Sequence, residues 1–107
     1  MSEPSSRETR VYLRMKDCID VFERGEIELG YLVREIEALK DSLEETDDRW
    51  REAFHNEWWT LEQVFAVALD RGKDPLTPEN ARLVEEAVGR MKDLLRQVGG
   101  DFREHNT

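Results

Sequence analysis

The chain has 107 residues, of which 38% are hydrophobic and 38% charged, and its net charge is −9. That length fits one domain with a modest core. The acidity argues against nucleic acid or an anionic membrane surface as the direct partner, because both need clustered Lys and Arg. The one cysteine, Cys18, leaves no intramolecular disulfide. The opening MSEPSSRETR lacks the apolar core of a signal peptide, and no apolar run approaches the roughly 20 residues of a membrane helix. A cytoplasmic protein is expected.

A charge load this high goes with disorder when apolar residues are scattered. Here they recur at helical spacing. Residues 1–6 (MSEPSS) are polar and contain Pro4, and are expected to form a disordered arm. A first helix is predicted from Arg7 to Arg24, with Val11, Met15, Cys18, Ile19 and Phe22 on one face. Gly25 follows as its stop, since glycine takes the left-handed conformation without steric cost. A second helix is predicted from Glu28 to Glu45, with a stripe of Leu29, Leu32, Val33, Ile36, Leu39 and Leu43. Gly30 near its start carries a helix cost of about 1 kcal/mol. The segment EETDD (44–48) turns the chain, with Thr46 or Asp47 as N-cap.

A third helix is predicted from Asp48 to Arg71, with Trp50, Phe54, Trp58, Leu61, Phe65, Ala68 and Leu69 on one face and Gly72 at its end. In the loop 72–80, Thr77 reads as N-cap, Pro78 as the first helical residue and Glu79 as an acid beside the positive helix end. A fourth helix is predicted from Pro78 to Val98, presenting Ala81, Val84, Ala87, Val88, Met91, Leu94, Leu95 and Val98. Gly99 and Gly100 read as its stop, and residues 101–107 as a flexible tail in which Phe102 could fold back. Short loops between amphipathic helices favour antiparallel neighbours. The predicted fold is all-α, an antiparallel four-helix bundle of up-down-up-down topology over residues 7–100.

The sequence offers little for catalysis. It contains no glycine-rich phosphate loop, HExxH, CxxC or EF-hand pattern. Of its two histidines, His105 lies in the tail, and Cys18 falls on an apolar stripe, as a small core residue does. Glu52 and His55 form one ExxH pair, whereas di-iron bundles carry two such pairs and two further glutamates. The pair faces away from Phe54 and Leu61. No cofactor, no metal and no enzymatic activity are therefore expected. Glu57, at the edge of the apolar stripe, is expected to pair with a basic residue of a neighbouring helix. Trp59 falls nearly opposite the core face, beside His55, Glu62 and Ala66. It either packs under another segment or anchors a partner, since Trp is enriched among interface hot spots.

The charge is uneven along the chain. Residues 1–25 are neutral and residues 63–107 carry −1, whereas residues 26–62 carry twelve acids and four bases, net −8. A field of one sign steers an oppositely charged partner, so a basic protein is the expected partner.

The stretch VFERGEIELGYLVREIEALKDSL (21–43) has an apolar helix, a short Gly-containing turn, an Ile, and a Leu/Ile helix with acids. It resembles the opening of colicin D-type immunity proteins, small acidic helical bundles that neutralise a tRNA-cleaving toxin. The run FHNEWWTLEQVFAVALD (54–70) is similar to their central helix, so the resemblance spans about the first two-thirds of the chain. It implies a protein that covers a positively charged RNA-binding site, with carboxylates standing in for phosphates. The local charge pattern assigns that role to Glu37, Asp41, Glu44, Glu45, Asp47, Asp48 and Glu52, with Trp59 as an apolar anchor. Two other readings stand beside it: a homo-oligomeric scaffold or adaptor, such as a homodimer through Trp59, and a metal-binding bundle using Glu52 and His55.

Overall fold

A computed structural model describes the backbone of residues 6–44, 46–71 and 77–104 and the side chains of residues 7–44, 46–69 and 77–98. Residues 1–5 of the expected N-terminal arm, Glu45, Gly72, the first part of the α3–α4 loop, the Phe102 side chain and His105 lie outside them, while Ser6 already belongs to the first helix. Four helices follow in order: α1 (Ser6–Glu23), α2 (Leu29–Asp41), α3 (Asp48–Arg71) and α4 (Pro78–Glu104). Each helix packs on its neighbour in sequence, and α4 closes the ring against α1. Cross-helix bonds fix the directions. Arg7, at the start of α1, donates to the carbonyl of Ser42 after the end of α2, at 2.7 Å. The Trp50 indole at the start of α3 donates to the carbonyl of Leu94 late in α4, also at 2.7 Å. The architecture is the expected all-α four-helix bundle.

The ends of the helices have local causes. α1 stops at Gly25, whose φ of +81° is the left-handed conformation. Its N–H bonds to the carbonyl of Phe22, and that of Glu26 bonds to Val21. These are the two bonds of a Schellman ending. α3 is capped by Asp47, whose Oδ2 accepts the N–H groups of Arg49 at 3.0 Å and Trp50 at 3.2 Å. α4 is capped by Thr77, which accepts the N–H of Asn80 at 3.1 Å.

Several expected boundaries and faces are corrected. α2 ends at Asp41 rather than Glu45, because the Ser42 hydroxyl and N–H both turn back to the Leu39 carbonyl. Leu43 still reaches the core, but from the turn. α4 does not stop at Gly99 and Gly100: it continues to Glu104 and so takes in much of the expected tail. Two helical glycines cost only about 2 kcal/mol in propensity, which does not by itself end a long helix. In α3, Val64 is buried where Phe65 was expected, Phe65 is half-buried, and Leu69 is exposed. In α1 the buried line is Glu8, Tyr12, Met15 and Ile19, with Val11 and Cys18 at its edge. The core is completed by Leu32, Val33, Ile36, Trp50, Phe54, Trp58, Leu61, Val84, Ala87, Val88, Met91 and Leu95.

Gly30 is buried for a steric reason. A Cβ placed there would lie 2.7 Å from two ring carbons of Phe65, so α3 packs that ring directly on the α2 backbone. Gly89, also helical, has nothing within 4 Å of such an atom. Gly89→Ala is therefore predicted to raise the free energy of unfolding by roughly 0.5–1 kcal/mol, the backbone-entropy gain. Gly30→Ala is predicted to lower it, because overpacking costs about 1–3 kcal/mol against a smaller propensity gain. Urea denaturation of both variants checks the pair, and equal shifts of the same sign would contradict it.

Candidate functional site: the acidic α2–α3 edge

The end of α2, the turn 42–47 and the start of α3 form one edge of the bundle, and its turn is fixed from α1. Glu8 is only 1% exposed although it carries a carboxylate. Its Oε2 accepts the Glu44 N–H at 2.7 Å, and its Oε1 accepts the Thr46 hydroxyl at 2.9 Å. The Arg7 guanidinium lies 3.5 Å from the same carboxylate and 3.9 Å from that of Glu44. The Tyr12 hydroxyl hydrogen-bonds Thr46 Oγ1. A threonine hydroxyl has one proton, and here it goes to Glu8, so Tyr12 is the donor. Burial, and secondarily the negative charge of Glu8, push the Tyr12 phenol above its ordinary value of 10.0. Buried carboxylates are tolerated when their oxygens are bonded in this way.

The expected partner-binding residues divide on this frame. Glu37, Asp41, Glu44, Asp48 and Glu52 are exposed, as is Trp59. Asp47 is exposed too, but its carboxylate is committed to capping α3. Glu45 lies outside the described residues. Asp41 and Glu52 line opposite walls of a shallow groove of about 250 Å³, with Lys40, Leu43, Trp50, Arg51, Phe54 and His55. Asp48, Glu52, His55 and Trp59 follow one another along α3 at steps of four, three and four, which places them on one face. Of that line Glu52 and His55 reach the groove, and from α2 Asp41 does.

Aromatic rings extend this face. The His55 ring lies 5.4 Å from that of Trp58 and 6.5 Å, nearly parallel, from that of Trp59. Trp58 is buried, donates its indole N–H to the Val33 carbonyl at 2.9 Å, and carries the Lys40 ammonium 4.8 Å from its ring centroid. Trp59 stands beside it at 50% exposure. Among the described residues no second segment covers it with a hydrogen bond, and no lysine or arginine lies over its ring. Glu57 makes the expected inter-helix pair, with Arg90 Nε 2.9 Å from its Oε1.

Among the described residues no three His, Cys, Asp or Glu side chains come together as metal ligands would, and Glu52 with His55 gains no third such group. Cys18 is half-buried beside a second groove between α1 and α2, and burial raises its thiol above the usual range, with Glu35 adding to the effect. No helix among the described residues is long and apolar enough to cross a membrane. No family model matches the chain, and no curated protein or solved structure matches it.

The residue that sequence reasoning missed is Glu8. Stepping back along α1 from Ile19 through Met15 and Tyr12, at intervals of four, three and four, lands on it. A carboxylate on a buried stripe was the available signal.

Glu8→Ala is expected to cost about 2–3 kcal/mol, since it strips two part-buried donors of a charged acceptor, and to speed amide exchange at Glu44. A loss below about 0.5 kcal/mol, typical of a surface site, would contradict the fastening role. The Tyr12 phenol gives an alkaline limb. Its folded pKa is raised, so its contribution is complete below pH 10.0 and is lost as pH rises through the folded value. Tyr12→Phe is expected to flatten that limb in denaturation curves taken from pH 9 to 11.

Proposed function

We propose that this protein is a non-catalytic binding module that uses the acidic α2–α3 edge to cover the basic, nucleic-acid-binding active site of a nuclease, as the immunity-protein resemblance implies. The observation that carries the reading is the segregation of charge: residues 26–62 hold −8 of a net −9. The exposed carboxylates of Glu37, Asp41, Glu44, Asp48 and Glu52 present that charge along the edge, and Asp41 and Glu52 line its groove. Carboxylates so arranged meet guanidinium and ammonium groups that otherwise bind phosphates. The turn between them is fastened by hydrogen bonds to the buried Glu8 carboxylate, so the charges are held in place before binding, which lowers the ordering cost of association.

A homo-oligomeric scaffold is the second reading, favoured by the exposure of Trp59 and Tyr31, 50% each. Light scattering separates it from a monomer.

The test is a capture from an extract of the source organism at low salt, followed by elution with rising salt. A basic protein should elute that cleaves RNA when alone and stops when the chain is added back. The variant Asp41→Lys/Glu44→Lys/Asp48→Lys/Glu52→Lys should fold with native helicity and fail to inhibit. Asp47 is left intact because losing its cap would cost roughly 1 kcal/mol. Inhibition unchanged in the variant, or no nuclease in the eluate, would overturn the proposal.

A further inference from the structure

We infer that Trp59 is a stacking platform for an arginine side chain of the basic partner, so that the acidic edge discriminates arginine from lysine. This deepens the proposed function and rests on it. The surface already contains one cation–aromatic pair, made internally: Lys40 sits 4.8 Å above the centroid of Trp58. Trp58 is thereby closed to outsiders, being 6% exposed and bonded to the Val33 carbonyl. Trp59, the neighbouring ring, has half its surface in water. Its helical neighbours supply the rest of a cation site. Glu62, three residues on, and Glu52, seven back, share its face, and the His55 ring lies nearly parallel to it at 6.5 Å.

The complementarity selects the occupant. An exposed indole in a field of carboxylates attracts a cation over its face. Arginine fits better than lysine, because its planar guanidinium stacks on the ring while its edge N–H groups remain free for carboxylates. An ammonium can face a ring and a carboxylate together, as Lys40 does between Trp58 and Asp41 at 3.4 Å, but it is a compact, strongly hydrated point charge with no planar face to stack. An uncharged partner helix would meet the desolvation cost of Glu52 and Glu62 without return, and a second copy of this chain would oppose like charges across the contact.

The test uses the full chain with nona-arginine and nona-lysine peptides at low salt, followed by Trp fluorescence and by the Trp59 indole resonance. Nona-arginine is expected to bind roughly fivefold tighter than nona-lysine. Trp59→Leu, an exposed change with native circular dichroism expected, should abolish that preference while both peptides still bind. Trp59→Phe should restore part of it. Equal affinities in the native chain, or a preference that survives Trp59→Leu, overturns the inference and leaves the acidic-edge reading standing. Binding of neither peptide overturns both. A dimer of the free chain that dissociates in Trp59→Leu also overturns the inference, since a second copy would then cover the ring.

Discussion

The conformation of the acidic edge depends on a carboxylate that never reaches solvent. Glu8 sits in the first turns of α1, more than thirty residues before the turn it holds, and accepts donors from both Glu44 and Thr46. Without it the turn would have to join two helices while surrounded by Glu44, Asp47 and Asp48, whose mutual repulsion favours an open chain. Arg7 adds a bond to Ser42 and places positive charge beside the repelling group. The same interaction fixes direction, because it can form only if α1 and α2 run antiparallel. Between the Ser42 turn that ends α2 and the Asp47 cap that starts α3, Glu8 holds the intervening backbone.

The two buried tryptophans of α3 do similar service for the other helices. Trp50 ties α3 to α4 through the Leu94 carbonyl, and Trp58 ties α3 to α2 through Val33. Each ring fills the core while its one polar atom finds a backbone acceptor, which is the condition for burying indole. Trp50 also stacks on Phe54 at 4.8 Å and meets Tyr12 edge-on at 5.6 Å, so the fastening at Glu8 and the aromatic core are one continuous packing unit. On the far side, Lys92 joins α4 to α1 through Glu23 at 2.9 Å. Exposed pairs of that kind contribute little by themselves, and α1 and α4 are held chiefly by apolar burial.

The helices were legible in the sequence because capping and stopping are local chemistry: Gly25, Asp47, Thr77 and Pro78 act through residues within a turn of themselves. The exposure of Trp59 and the pairing of Glu57 could be read from angular position on α3, since a long helix fixes every residue's direction once its core face is known. Three features were less legible. The end of α2 depends on Ser42 choosing the Leu39 carbonyl over a further helical turn, a balance of a few tenths of a kcal/mol to about 1 kcal/mol. The continuation of α4 beyond Gly99 pits two glycine penalties against an uninterrupted hydrogen-bond ladder. The burial of Glu8 depends on partners in a turn distant in sequence, and hydropathy gives a glutamate no reason to be inside. The charge segregation that marks the candidate site was visible in full, but the division of Asp47 from its acidic neighbours needed the cap geometry.

That division has an evolutionary side. Among the described exposed acids of the α2–α3 edge, Asp47 is the one whose carboxylate caps a helix, through its bonds to Arg49 and Trp50. Glu37, Asp41 and Glu52 lie at no helix N-terminus and fill no core. Substitutions at such positions typically change stability by less than about 0.5 kcal/mol. The face can therefore be rewritten residue by residue while the bundle beneath it stays folded. Glu8, Tyr12, Thr46 and Asp47 are the fixed points of the turn beneath a surface whose charges can change without loss of the fold.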